Sequence, residues 1–272
     1  MGAVEQNTTG NHNVGIGFEA LEENTTADNN VAVGLYALRK NTTGTPNIAI
    51  GAYASDALTT GGGNTCVGYW AGSVMTTPNH NTFIGYYAGY PTTTGYRNTV
   101  CGAMAGYGLT SGYNNTFLGY DAGSTNSPSG NITTGNNVAC IGDNNTDDLY
   151  CADTSISSSD KRDKTDIVNF THGLNWVNQL NPVTYRWDKR TWYDDNTPDG
   201  SKKRNRKHIG FLAQDVLAIE GNPSSKDDML IVKLNEDNTA YGLKYERLVP
   251  VLVNAIKELS TKVTALEAKV NG

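Results

Sequence analysis

A repeat of 17 residues fills the first half of the chain and limits what that half can fold into. Glycine recurs at this spacing without an insertion or a deletion, at Gly17, Gly34, Gly51, Gly68, Gly85, Gly102 and Gly119. An asparagine stands four residues before each glycine, as at Asn47, and an alanine stands three residues after it, as at Ala54. Self-similarity at a fixed period is typical of solenoids, in which each repeat is one coil stacked on the next.

The length of the unit selects the kind of coil. Seventeen residues are too few for a pair of helices but suffice for two short strands and two turns. In the segment Asn30-Val31-Ala32-Val33-Gly34 the valines fall on one face of a strand and the alanine on the other. We interpret the following Leu/Tyr/Trp-x-Ala segment as the second strand. Glycine supplies a positive φ at the corner, and asparagines of successive coils can stack their amides.

The repeats therefore predict a parallel β-roll over residues 1–142, with coils about 4.8 Å apart. One coil of small residues buries little apolar area, so stacking and lateral association must supply the rest. We expect a homotrimer whose Val, Ile and Ala faces meet near a central axis. Units such as Asn47-Ile48-Ala49-Ile50-Gly51 resemble the head repeats of trimeric autotransporter adhesins. That resemblance implies a trimeric, left-handed parallel β-roll, but it implies no particular ligand.

Aromatic residues occupy variable positions of the repeat. They are Tyr69, Trp70, Tyr86, Tyr87, Tyr90, Tyr96, Tyr107, Tyr113 and Tyr120. Tyrosines on a rigid rod suit contact with a host cell-surface carbohydrate or protein. The competing interpretation is that these rings fill turns and the seams between subunits.

Charge divides the chain at residue 158. Residues 1–158 hold 3 Lys/Arg and 11 Asp/Glu, for a net charge of −8, whereas residues 159–272 hold 18 and 16, for +2. An acidic, lysine-poor first half argues against a nucleic-acid partner. The basic run 202–207 is interpreted as a solvated loop, because no aromatic residue interleaves with its cations.

Several other classes of protein are disfavoured. No run of 18 apolar residues is present, so we predict no membrane insertion. The four cysteines show no CxxC pairing, which argues against a disulfide framework or a zinc site. We predict neither a metal site nor a cofactor.

The second half has a different pattern, and we divide the chain into a repeat shaft (1–142), a linker (143–158) and an α+β domain (159–272). We expect a strand end at 166–168, a short helix within 171–177 and a strand at 181–187. A strand leading into a helix follows at 208–216. Two further strands, 229–234 and 239–243, form a hairpin that turns at 235–238.

The chain from about residue 244 is predicted to be a helix that ends in a coiled coil. Apolar residues step by four and three residues, with Ile or Val at heptad position a and Leu at d. They are Leu252, Ile256, Leu259, Val263, Leu266 and Val270. The pattern by itself favours a dimer, but the symmetry that we expect of the shaft favours a trimer.

Three motifs of the second half occur in an order typical of one family: Ser159-Asp160-Lys161-Arg162-Asp163-Lys164-Thr165-Asp166-Ile167, Ile209-Gly210-Phe211-Leu212-Ala213-Gln214 and the segment 245–259. They resemble the intramolecular chaperone domain of endosialidases and other phage tail proteins, the S74 peptidase family. The resemblance implies a domain that trimerises its fibre and then releases itself with a serine–lysine dyad. It implies Ser159 as the nucleophile, Lys164 as the general base and Ser158–Ser159 as the bond cut.

The chemistry of such a dyad sets a condition. A serine hydroxyl needs a base, and a lysine serves only if its pKa falls from about 10.4 towards neutrality. Burial or nearby cations such as Lys161 and Arg162 favour the neutral amine, whereas Asp160 and Asp163 oppose it. We expect the required burial only in the assembled trimer, so that cleavage reports correct folding and locks the shaft kinetically. Without the other two motifs, Ser-Asp-x-Arg would be interpreted as a capped turn in a linker.

The sequence thus predicts the distal part of a phage tail fibre or spike, made in the host cytoplasm and carried on the virion. The alternative is a structural adhesin with an inert trimerisation tail. A transcription factor released from a membrane by the same module is disfavoured, since the chain lacks a basic first half and an apolar anchor. A depolymerase is disfavoured because no paired carboxylates recur at a fixed place in the repeat.

Overall fold

A computed structural model describes residues 2–146, 148–149, 159–223, 225, 228–235 and 240–271. The chain divides near residue 150 into two compact units. The first unit holds the repeats, and the second holds the α+β region with a long terminal helix.

The first unit is a parallel β-solenoid with one short strand per coil. The strands form one sheet in sequence order: β1 (Val14–Ile16), β2 (Val31–Val33), β3 (Asn47–Ile50), β4 (Asn64–Val67), β5 (Thr82–Ile84), β6 (Thr99–Cys101), β7 (Thr116–Leu118) and β8 (Ala139–Ile141). Val31 pairs with Ile48, so neighbouring strands are offset by one repeat. The last pair, Thr116 with Ala139, spans a longer segment because the eighth copy is irregular. The predicted β-roll is confirmed.

Each strand divides its residues between two environments. Ala32 and Ala49 are fully buried inside the coil, whereas Ile48 and Ile50 on either side of Ala49 are exposed. We call the residues that flank the buried centres of the strands the outer sheet face. From β1 to β8 they are Val14, Ile16, Val31, Val33, Ile48, Ile50, Thr65, Val67, Thr82, Ile84, Thr99, Cys101, Thr116, Leu118, Ala139 and Ile141. The predicted alternation is confirmed, and it places the alanines inside the coil rather than on the outer sheet face.

The prediction of a second strand in each coil is wrong. The segment after each glycine is a series of turns in which residues with positive φ recur at every second position, as at Tyr36 (φ 58°) and Leu38 (φ 49°). The N–H groups of this segment bond to both neighbouring coils. Tyr36 N–H bonds the carbonyl of Phe18 in the preceding coil, while Leu38 N–H bonds that of Ala54 in the following coil. The segment therefore satisfies its backbone without the extended geometry of a strand.

Buried asparagines join the coils at the predicted position. The backbone N–H of Asn64 donates to Asn47 Oδ1 at 3.0 Å, and Asn64 Nδ2 donates to the carbonyl of Pro78 at 2.8 Å. The same pair of bonds recurs at Asn81 and Asn98. These side chains are buried and hydrogen-bonded, which is what the interior of a solenoid requires of polar groups.

The size of the core side chains is balanced across each coil. Where the strand centre is Ala32, the facing turn carries Leu38, and where the centre is Phe83, the turn carries Gly89. A Cβ added to Gly89 would approach the Phe83 ring to 2.7 Å. Large and small residues therefore alternate between strand and turn, so that each coil fills the same cross-section.

The second unit is a small mixed fold. Its elements are α1 (Leu174–Val177), β9 (Val183–Tyr185), β10 (His208–Gly210), α2 (Ala213–Ile219), β11 (Val232–Leu234), β12 (Tyr241–Leu243) and α3 (Leu248–Asn271). Strands β9 and β10 are antiparallel, and so are β11 and β12. The hairpin prediction is confirmed, although 236–239 lies outside the described residues. The prediction of a strand end at 166–168 is wrong, since that segment is exposed and has no regular structure.

Helix α3 presents two different faces. Leu248, Val251 and Ala255 are buried, and the first two belong to the core of the unit with Trp176 and Val216. The heptad residues predicted to form the coiled coil are all exposed in the single chain. The helix begins at Leu248 rather than near 244, because a 3-10 turn occupies Tyr245–Arg247.

Candidate active site

The predicted serine and lysine lie within hydrogen-bonding distance in one chain. Lys164 Nζ donates to Ser159 Oγ at 2.6 Å. Both side chains are exposed. Ser158, the other residue of the predicted scissile bond, lies outside the described residues. An amine at this distance can accept the serine proton once the amine is neutral.

A 3-10 turn at Lys161–Asp163 brings the lysine back to the serine. Asp160 caps the turn, because its Oδ1 accepts the backbone N–H of Arg162 at 2.9 Å. The Arg162 guanidinium also binds the same carboxylate, with Nη2 at 2.6 Å from Oδ2. Arg162 therefore holds the pKa of Asp160 below its usual value. This pairing of Asp160 with Arg162 is a contact that sequence reasoning missed, since it treated the two residues only as opposing charges.

The segment that follows the dyad exposes apolar side chains. Ile167, Val168 and Phe170 are all exposed in the single chain. The end of this segment is tied to helix α3: Asn254 Nδ2 donates to the carbonyl of Phe170 at 2.8 Å, and Leu174 N–H donates to Glu258 Oε2 at 3.1 Å. The sequence analysis assigned no role to Asn254 or Glu258. The feature that could have indicated one is that both are polar, four residues apart on a predicted helix, and next to heptad positions.

The second and third sequence motifs meet in the fold. The backbone N–H of Phe211 donates to the Tyr245 hydroxyl at 3.2 Å, and the two rings lie 6.2 Å apart. Gly210 lets the Tyr245 hydroxyl approach the backbone closely, since an added Cβ would displace that hydroxyl. These motif residues therefore form a packing contact.

The basic run 202–207 has aromatic partners that the sequence did not reveal. Lys202 Nζ lies 5.2 Å from the ring centre of Tyr193, and the Arg204 guanidinium lies 5.0 Å from that of Trp192. The rings come from the segment after β9 rather than from the run. Lys202 and Arg204 thus make cation–π contacts within the loop, as expected of a folded surface loop.

The aromatic residues of the shaft stack on one another from coil to coil. Tyr69 lies parallel to Tyr86 with ring centres 5.7 Å apart, and Trp70 lies parallel to Tyr87 at 6.0 Å. Neighbouring rings therefore contact one another along the shaft, while Tyr69 and Tyr86 remain exposed side chains. This arrangement supports the interpretation that the rings fill space between turns, and it leaves exposed tyrosines such as Tyr69 and Tyr86 for external contact.

Comparison with known proteins bears on the second unit. Residues 159–224 match the S74 peptidase family, described as the chaperone of endosialidase. The match begins at Ser159 and includes Lys164. It supports a role in folding, trimerisation and self-cleavage of tail-fibre-like proteins. The chain matches no curated protein and no solved structure.

Two further features concern the described residues alone. None of their helices combines the length and the apolar character needed to cross a bilayer. They also contain no cluster of three or more His, Cys, Asp or Glu side chains arranged to hold a metal ion.

Proposed function

We propose, from the match of residues 159–224 to the chaperone of endosialidase, that the second unit trimerises the shaft and then cleaves itself from it. The observation that carries the proposal is the hydrogen bond between Lys164 and Ser159 inside the matched segment. The product would be the distal part of a viral tail fibre or spike.

The outer sheet face supports assembly as a trimer. Ile16, Ile50, Ile84, Leu118 and Ile141 form an exposed apolar row along the solenoid. Such a row is larger than the scattered apolar residues of an ordinary monomer surface, and it would be removed from water between three shafts. The intervening coils contribute Val33, Val67 and Cys101 to the same row, so every coil presents a side chain there.

Helix α3 supports the same assembly. Ile256 is 67% exposed and Leu259 is 51% exposed, although both occupy heptad positions. Apolar a and d positions are stable only against partner helices. The buried residues of α3, Leu248, Val251 and Ala255, lie in its first turns on a face adjacent to the heptad positions, which stay available to other copies of the chain.

The cleavage step would be an acyl transfer. Ser159 Oγ attacks the carbonyl carbon of Ser158 while neutral Lys164 takes the hydroxyl proton. The peptide C–N bond breaks, the lysine returns the proton to the leaving amine, and an ester to Ser159 Oγ remains. Water hydrolyses this ester, which gives a carboxylate at Ser158 and a free amino group at Ser159.

Trimerisation would supply the burial that the exposed Ser159–Lys164 pair lacks in the single chain. A lysine in water is protonated and cannot accept a proton, and burial is one way to favour the neutral amine. The exposed apolar residues Ile167 and Val168 follow the dyad, so partner chains that cover them would also reduce the access of water to Lys164. Cleavage would then occur only after assembly.

Denaturing electrophoresis with intact mass tests the proposal. The wild-type chain is expected to give fragments of 158 and 114 residues, and Ser159→Ala is expected to remain a chain of 272 residues. An uncleaved wild-type trimer would instead favour the alternative, a structural adhesin with an inert trimerisation tail.

We also propose that the shaft contributes to attachment to the host surface, through a carbohydrate or protein that contacts the exposed tyrosines. Tyr69 and Tyr86 support this proposal because they are exposed on neighbouring coils. Adsorption of the cleaved shaft to susceptible cells should fall for Tyr86→Ala. Equal adsorption of this variant and the wild type, or none by either, would contradict the proposal.

A further inference from the structure

We infer that Asp160 and Arg162 are positioning residues, which keep Lys164 directed at Ser159 rather than at the neighbouring carboxylate. The inference rests on the proposed self-cleavage. Neither residue contacts the reacting atoms, so each acts through the lysine.

The carboxylate of Asp160 is bound from two sides. Its Oδ1 accepts the backbone N–H of Arg162 at 2.9 Å and the guanidinium Nε at 3.1 Å. Its Oδ2 accepts Nε at 3.2 Å and Nη2 at 2.6 Å. Both carboxylate oxygens are therefore engaged by one planar group, the fork geometry that arginine provides and lysine does not.

The same contact shapes the turn that delivers the lysine. The backbone N–H of Asp163 donates to the Asp160 carbonyl at 3.2 Å, and that of Lys164 donates to the Lys161 carbonyl at 3.3 Å. A side-chain cap of this kind accepts a backbone N–H that would otherwise lack a partner within the turn. The cap therefore favours the conformation in which the Lys164 side chain can return to the serine.

The pairing of Asp160 with Arg162 also affects the charge that Lys164 faces. Asp160 is adjacent to Ser159 in sequence, so a free carboxylate there would compete with the serine hydroxyl for Lys164. A lysine held by a carboxylate is stabilised in its protonated form, which cannot act as a base. By occupying both oxygens of Asp160, Arg162 removes this competitor and leaves Lys164 bonded to Ser159 Oγ.

The test measures the rate of cleavage in the full chain after refolding, with the trimer fraction determined in parallel by size-exclusion chromatography. Arg162→Ala is expected to slow cleavage by about threefold or more, the size of a surface charge coupling. Adding Asp160→Ala to it should restore part of the rate, because the competing carboxylate is then gone. Lys161→Ala measures the effect of removing a cation from the same turn while the Asp160–Arg162 pair remains, and Arg162→Ala should slow cleavage more than it does.

Two further measurements separate positioning from folding. High salt should partly restore the rate of Arg162→Ala, because it screens the exposed attraction between Asp160 and Lys164. Arg162→Lys retains the charge but not the fork, so it should cleave at an intermediate rate. If Arg162→Ala fails to trimerise, Arg162→Lys with its salt dependence decides the question.

The inference is overturned if Arg162→Ala trimers cleave at the wild-type rate, or if the double variant is no faster than the single one. Ser159→Ala, run alongside, keeps the two proposals distinct. Continued cleavage by Ser159→Ala would reject the proposed function. An inert Ser159→Ala with unaffected Arg162 variants would reject only the positioning role.

Discussion

Lys164 Nζ and Ser159 Oγ lie 2.6 Å apart within one chain, on the two sides of a single 3-10 turn. The five-residue separation of serine and lysine is therefore bridged locally. A lysine from another chain is not needed to reach the hydroxyl. Partner chains would instead supply burial, which a turn of exposed residues cannot provide for itself.

Lys164→Arg should abolish cleavage while leaving the trimer intact. Arginine retains the positive charge and a donor for the serine, but it is protonated at any usable pH and cannot act as a base. Loss of a general base typically slows a reaction by about 10²–10⁴-fold. Intact mass over a time course measures the loss. Lys161→Arg is the control, and a cleaving Lys164→Arg trimer would exclude lysine as the base.

Ile256→Asp should prevent trimerisation and therefore cleavage. In the single chain this side chain is exposed, so the unit itself should fold normally, as judged by circular dichroism. A charge at heptad position a would have to be buried between helices, at a cost that a short coiled coil cannot meet. Analytical ultracentrifugation measures the state of assembly.

Thr264→Asp is the matched control for that experiment, because Thr264 is also exposed on α3 but lies off the heptad stripe. Trimers formed equally well by both variants would show that the stripe is not an interface.

Cys101 should report on the outer sheet face. It is exposed in the single chain, whereas Cys66 is buried, and burial raises the pKa of the Cys66 thiol to about 12. Because only thiolates alkylate readily, Cys66 should resist iodoacetamide at pH 8 in every folded form. Cys101 should react quickly in a monomeric Ile256→Asp variant and slowly in the trimer. Equal rates at Cys101, by site-resolved mass spectrometry, would place the outer sheet face away from the interface.

Gly89→Ala should destabilise the shaft more than Gly106→Ala. Both glycines have left-handed backbones, with φ 58° and 63°, so either alanine loses about 1 kcal/mol to strain. An added Cβ at Gly89 lies 2.7 Å from Phe83, whereas at Gly106 the nearest atoms are 3.4 Å away. Overpacking should cost Gly89→Ala about 1–3 kcal/mol more, seen as a lower melting temperature. Equal melting temperatures would contradict the size balance within the coil.

Much of the fold follows from local periodicity. The spacing from Gly17 to Gly119 predicts the parallel register, because identical coils stacked in register align the same residue of each repeat. The buried row of Asn64, Asn81 and Asn98 follows from the same periodicity. The turn after each glycine does not follow from the sequence, since residues with positive φ at every second position leave an apolar pattern like that of a strand.

By itself, the sequence determined the coil, its register, the helical heptads and the segment that carries Ser159 and Lys164. Tertiary structure decided which contacts these segments make. Asn254 bonds a carbonyl 84 residues earlier in the chain, and Phe211 bonds Tyr245 across 34 residues. It also decided that Leu174, near the dyad segment, bonds Glu258, 84 residues later in the chain. The physical reason is range: periodicity and turn propensity act between near neighbours, whereas hydrogen bonds between distant segments depend on packing of the whole unit.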